Sequence, residues 1–297
     1  MNLTPAIRQG LAAALAAYIV WGLLPLYFYA LTDVPPHELV GWRVVFTIPV
    51  CFGIIWARGQ ATELRAAFAD LRLLGQLLIS ALLIGSNWLI FLIAIKSGHV
   101  LATSLGYYIN PLLNVLLGTM LLGERLTKPQ WMAVALAGMG IALLLAGAIE
   151  TLVVALSLAI TFTAYGYVRK HTQVSAVNGL TIETTLLLAP AVIILVFAAN
   201  SAEGMSLLRG GQTAALIAGA GLATAVPLML FATAARALPL STLGFVQFIS
   251  PTISFLLGVT VFGEELDKTR MACFTLIWAA IALYSWDMLR RSRQTPA

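Results

Sequence analysis

The chain has 297 residues, of which 60% are hydrophobic and 10% charged, with a mean hydropathy of +0.94. Soluble domains carry about 25% charged residues, so this chain lacks the polar surface of a water-soluble globule and its main solvent must be lipid. Its net charge of +5 is scattered over short loops rather than gathered into a basic stripe, and this excludes nucleic acid as an expected partner.

A membrane-spanning helix takes roughly 20 apolar residues, and it satisfies its own backbone groups where lipid cannot. Ten stretches qualify. The first five are Leu11–Leu31, Glu38–Trp56, Leu73–Ile95, Leu101–Leu122 and Gln130–Ala148. The second five are Thr151–Val168, Asn178–Ala199, Gln212–Ala235, Pro239–Phe262 and Met271–Leu289. Leu11–Leu31 is too long for the apolar core of a cleaved signal, so it counts as the first span. Lysines and arginines fall twelve on one side of these spans and four on the other. That bias puts both termini in the cytoplasm.

The stretch Ser104–Leu126, SLGYYINPLLNVLLGTMLLGERL, returns as TLGFVQFISPTISFLLGVTVFGEEL over Thr242–Leu266. With the chain shifted by 140 residues, Ala94–Lys128 meets Ala234–Lys268 with 10 identities in 35 positions, against about three expected for so biased a composition. The repeat unit is therefore five spans. Because five is odd, the second copy must enter the membrane in the opposite sense. The expected fold is an all-α polytopic membrane protein of ten transmembrane helices, built as two inverted five-helix repeats, residues 1–149 and 150–297, around a central cavity. Transporters place their substrate between such halves.

Polar residues inside spans mark the candidate site. An ionisable group there costs on the order of 3 kcal/mol, and Arg43 and Glu183, which the same shift aligns, stand well inside apolar stretches. They either lock the halves together, by pairing with each other or with carbonyls, or line the cavity. In the second case Arg43 holds an anionic group, and Glu183 takes a substrate amine or a proton. Pro111 and Pro251 each remove a helical N–H, leaving the carbonyls of Tyr107 and Gln247 without their helical donors, and read as a hinge present twice. Asn87, Tyr107, Asn110, Asn114, Gln247 and Ser250 are candidates for shaping the cavity, with Trp21, Trp88, Tyr108 and Tyr165 as aromatic walls. The fifth and tenth spans, nearly free of polar side chains, read as outer scaffold joined through small residues. Glu124, Glu264 and Glu265 read as interfacial span ends, and Arg169 and Lys170 as loop charges.

Cys51 and Cys273 lie in apolar runs, with no disulfide or metal spacing. No Walker loop, nucleophile elbow or helical His/Glu metal pair occurs. No cofactor or metal is expected, an enzyme is not expected, and any driving force must be an ion or substrate gradient.

The chain resembles the EamA-type, RarD-like branch of the drug/metabolite transporter superfamily. The resemblance covers nearly the whole chain. It is carried by GLAAALAAYIVWGLLPLYF, GSNWLIFLIAI and the Ser104–Leu126 stretch in the first half, and by AYGYVRK, LTIETTLLLAP, TAVPLMLF and STLGFVQFISPT in the second. It implies a ten-helix, inverted-repeat secondary transporter whose cavity is lined by the first four helices of each half. It departs from the family pattern at Trp42, where a histidine often precedes the arginine of the second span. The expected function is export of small amphipathic metabolites, amino-acid-like compounds or drugs by alternating access. The expected partners are the lipid bilayer, a small-molecule substrate and protons as the candidate coupling ion; the oligomeric state is open, a monomer being compatible with the sequence. A passive channel or facilitator, and a non-transporting structural subunit of a membrane assembly, are the alternatives.

Overall fold

The computed structural model describes residues 4–96, 100–145, 149–201, 204–261 and 268–294; Glu264 and Glu265 lie outside them. Those residues form thirteen α-helices and one 3-10 turn, with no strand among them. In chain order the helices are α1 (Pro5–Tyr29), α2 (Pro36–Ala57), α3 (Ala61–Ala69), α4 (Leu71–Lys96), α5 (Val100–Met120), α6 (Lys128–Leu145) and α7 (Ile149–His171). The second half continues with α8 (Ala176–Leu186), α9 (Leu188–Ala199), the turn Ser206–Arg209, α10 (Gly211–Ala237), α11 (Leu240–Gln247), α12 (Ile249–Thr260) and α13 (Lys268–Gln294).

Local chemistry sets several of the starts. Pro5 and Pro36 stand in the first turns of α1 and α2, where a missing N–H costs nothing. Asp70 accepts from the N–H groups of Arg72 and Leu73 at 2.9 and 3.0 Å, and Ser175 accepts from Asn178 N–H at 3.2 Å, each occupying donors that the first helical turn leaves free.

Two features depart from the sequence expectation. The segment between the second and third spans holds a short helix, α3, which packs on α4 and α8. Two expected single spans are broken, at Leu187 between α8 and α9, with a bend of 48°, and at Phe248 between α11 and α12. In both cases the first helix ends four residues before a proline, Leu186 before Pro190 and Gln247 before Pro251, which is the carbonyl a proline deprives of its donor. Pro25, Pro49, Pro111 and Pro227 sit inside unbroken helices, so proline alone does not decide the break.

The outer surface is apolar: Phe197 is 74% exposed, Leu82 57% and Ile160 56%. Water would penalise such a belt, whereas hydrocarbon solvates it. α1, α2, α10 and the Leu71–Phe91 part of α4 are long and apolar enough to cross a membrane, and the bent pair α8–α9 makes a fifth candidate span. The molecule is a polytopic helical membrane protein.

Inside, α1 packs on α10 and α12, α7 on α4 and α5, α2 on α8, α9 and α10, and α5 on α11. α6 lies along α13, where Ala133, Ala137 and Ala280 are fully buried, the close approach that small residues allow. All helices that carry the candidate polar residues belong to the first of these two sets.

Candidate functional site

Helix directions define two ends. The N-terminus of α1, the C-termini of α7 and α10 and the N-terminus of α8 share the basic end, where Arg169, Lys170 and Arg236 meet neighbouring segments. At the other end α1 finishes, and α2, α5 and α10 begin. Arg43 and Tyr107 each lie about 10 Å in from that end along α2 and α5.

Arg43 donates from Nε to Thr224 Oγ1 of α10 at 2.9 Å. Its guanidinium lies over the rings of Trp88 of α4, at 5.0 Å, and Phe28 of α1, at 5.6 Å, a favourable stacking of cation on ring faces. Tyr107 of α5 is within electrostatic reach, is 37% exposed and lies against Phe91. Arg43 and Trp88 are half-buried. Five helices thus converge on one cation whose aromatic surroundings keep part of their surface accessible.

Glu183 is in a different place. It lies two turns from the start of α8, at the basic end, and is 1% exposed. Its Oε1 accepts from Ser80 Oγ of α4 at 2.5 Å and lies 3.7 Å from Nη1 of Arg169, which is equally buried. Arg43 and Glu183 therefore do not pair with each other. Arg169, read from sequence as a loop charge, is a core residue: α7 runs on to His171, and the guanidinium occupies the space beside Gly179, where any Cβ would collide with it. The pair is incompletely satisfied. Arg169 donates from Nη2 to Ala176 O at 3.3 Å, while its Nε and Nη1, Glu183 Oε2, Asn178 Oδ1 and Tyr18 Oη find no hydrogen-bond partner in the protein.

The amides hold helices together. Asn87 donates to Leu158 O at 2.8 Å and Thr161 Oγ1 at 2.9 Å, joining α4 to α7. Asn114 donates to Gln247 Oε1 at 2.8 Å, clasping α5 to α11. Asn110, fully buried, accepts from Thr163 Oγ1 at 3.4 Å. Ser250 is half-buried at the start of α12. Tyr108 turns away from Arg43: it is buried, donates to Pro251 O at 3.2 Å and packs edge-on against Phe274 of α13. Pro111 lies inside the continuous α5, whereas Pro251 follows the break between α11 and α12, so the two aligned prolines have different local structures here.

Between the Arg43 group and the basic end lies an aromatic layer. Trp21 packs against Phe162 and Phe231 at 5.6 and 5.7 Å, Phe162 against Phe231 at 5.3 Å, and Tyr165 stacks on Phe231 at 5.8 Å. Below it, at the basic end, side chains tie helix termini together. Glu124, beyond α5, accepts from Leu240 N and Ser241 N at 2.7 and 3.0 Å, and from Ser241 Oγ at 2.6 Å. A carboxylate on a helix N-terminus is favoured by its free N–H groups and dipole. Lys170 answers it by donating to Ala235 O and Leu238 O at the end of α10, at 3.2 and 2.6 Å. Glu124 is therefore an interhelical tether as well as a span end.

Sequence reasoning missed Thr224, Phe28, Ser80, Phe162, Phe231 and Arg169. Hydroxyls and phenylalanines in apolar spans carry no signal of their own. For Arg169, the run of buried small and polar residues opposite it, Asn178–Gly179, was the available hint.

Comparison with known proteins gives a consistent picture. The profile of the EamA-like transporter family matches residues 8–146. An uncharacterized transporter of Pseudomonas aeruginosa is 42% identical over 99% of this chain and 98% of its own length. Protein RarD of Escherichia coli is 40% identical over 97% of each chain. A solved crystal structure, 20% identical, shares the fold with a TM-score of 0.71 over 92% of this chain and 96% of that one.

Proposed function

The chain belongs to the EamA-like transporter family as a RarD-like member, and from that premise we propose that it is a secondary active transporter exporting small amphipathic metabolites, amino-acid-like compounds or drugs by alternating access across the bacterial inner membrane. In this reading the spans number ten, form two inverted halves around a central cavity, and keep both termini in the cytoplasm. The helix packing supports the inverted halves. The 140-residue shift turns the α1–α10 contact into the α7–α4 contact, and the α5–α7 contact into the α12–α1 contact, and all four occur. Arg43 and Glu183 follow the same rule, each bonded to a hydroxyl on the third span of the opposite half, Thr224 and Ser80.

One observation carries the proposal. The Arg43 group is half-buried near one end, with Tyr107 37% exposed, while the aromatic layer and the Glu124 and Lys170 tethers lie toward the other, an arrangement suited to a site reached from one side at a time. Arg43, Trp88 and Tyr107 contact substrate, Trp21 and Tyr165 belong to the floor, and Asn87, Asn110, Asn114 and Gln247 set the helix spacing. The break beside Pro251 and the carbonyl that Pro111 frees within α5 supply the change of shape. Glu183 is the coupling residue. Once protonated it no longer attracts Arg169, and a buried guanidinium without its counter-charge disfavours the closed basic end.

Counterflow into liposomes, with and without a pH gradient, tests this reading. Glu183→Gln should abolish uptake driven by the gradient while the protein still elutes as a folded species. Normal transport by that variant with unchanged pH dependence would remove the coupling role. Flux that never saturates and shows no counterflow would replace the transporter with a passive facilitator.

A further inference from the structure

We propose that the Arg43 group is a seat for a flat aromatic monocarboxylate, a compound whose acid lies on Arg43, whose ring lies among Trp88, Phe28 and Tyr107, and which carries no amine. The inference deepens the transport reading by naming a substrate class. The site itself is a binding claim that can be tested without transport.

A guanidinium has five N–H donors, and Arg43 uses its Nε on Thr224. Among the described residues, no carboxylate lies within ion-pairing distance of it. Glu38 and Glu183 are both committed elsewhere. Glu38, on the same helix, accepts from Trp42 Nε1 at 3.0 Å, Ser206 N at 2.8 Å and Ser206 Oγ at 2.7 Å, and is wholly buried. Glu183 is bound to Ser80 and Arg169. Among the described residues Arg43 is therefore a half-buried positive charge with no carboxylate partner, held in the protein by one hydrogen bond from its Nε. Such an arginine attracts an anion, and a carboxylate meets its planar fork in two parallel hydrogen bonds.

The shape argument is independent of charge. Trp88 and Phe28 present ring faces to the guanidinium at 5.0 and 5.6 Å, and Tyr107 with Phe91 continues the aromatic wall. Such walls select a ring that stacks beside the acid it carries. The missing feature is equally informative. A zwitterionic amino acid gains from a carboxylate that receives its ammonium close to its own acid, and among the described residues none stands within ion-pairing distance of Arg43. The amine would be repelled by Arg43 with no acid to receive it.

Equilibrium dialysis of the purified full-length protein in nanodiscs, with labelled phenylacetate, phenylacetamide and phenylalanine, decides the matter. The acid should bind about tenfold tighter or more than the neutral amide and the amino acid, the size of one charge-assisted contact. In Arg43→Gln that preference should shrink to less than about threefold, and Arg43→Lys, which keeps the charge and guards against a folding defect, should retain part of it. Equal affinity for acid and amide in the wild type, no saturable binding of the acid, or a preference that survives Arg43→Gln would each overturn the proposal. Counterflow separates the two claims. If neutral or amine-bearing solutes exchange and phenylacetate does not, the substrate class is wrong and the transporter stands. If phenylacetate binds through Arg43 and no solute exchanges, the site stands and the transport reading falls.

Discussion

Replacing Arg169 by methionine is the most informative single perturbation of the core. Both members of the Arg169–Glu183 pair are 1% exposed, so the variant would leave a carboxylate in a low-dielectric interior with only Ser80 as a donor. Breaking a buried pair in this way costs on the order of 3–5 kcal/mol. For a chain of this size that is a fall of roughly 5–15 °C in the unfolding midpoint. The pair itself is poorly made: the closest approach is 3.7 Å, and two of the three guanidinium nitrogens and one carboxylate oxygen have no hydrogen-bond partner in the protein. Its net contribution over an apolar replacement should therefore be small or negative. We predict that Arg169→Met is strongly destabilised, and that adding Glu183→Met restores most of the midpoint. The assay is thermal unfolding of the nanodisc-embedded protein, read by tryptophan fluorescence in all four members of the double-mutant cycle. A single variant within about 1 kcal/mol of wild type, or a double variant as unstable as the single one, would refute the reasoning and show that the pair is solvated or separated in the membrane.

Two further predictions concern the helix contacts. Removing the Glu124 carboxylate as Glu124→Ala takes the acceptor from Leu240 N, Ser241 N and Ser241 Oγ; a lost helix cap costs about 1 kcal/mol, so amide exchange over the first turn of α11 should quicken about five- to tenfold, and unchanged exchange there would remove the tether. Gly244 faces Pro111 where α5 crosses α11, and a Cβ would come within 2.6 Å of Pro111 O; Gly244→Val should therefore cost about 1–3 kcal/mol through overpacking, seen as a lower unfolding midpoint, whereas an unaltered midpoint would mean the crossing has slack.

Much of the protein was legible from local pattern. Length and hydropathy located the helical stretches, and the 140-residue offset aligned Arg43 with Glu183 before either had a neighbour. The site was less legible because its meaning depends on partners. Asn87, Asn114 and Gln247, read as cavity amides, bond across helix interfaces. Tyr108, one residue from Tyr107, points to a different face of α5 and meets α13, as the 100° step between neighbours on a helix requires.

The sequence by itself determined that this chain is solvated by lipid, that it is helical, and that it resembles itself half a length on, since composition and residue spacing are properties a chain carries before it folds. Only the tertiary structure decided that Glu183 answers to Arg169 while Arg43 answers to Thr224 and two aromatic rings. The physical reason is reach. A charged group inside a membrane takes whatever partner lies within a few ångströms, and that neighbour is set by which helices cross at that depth and by how far each one runs past the point where its apolar residues stop.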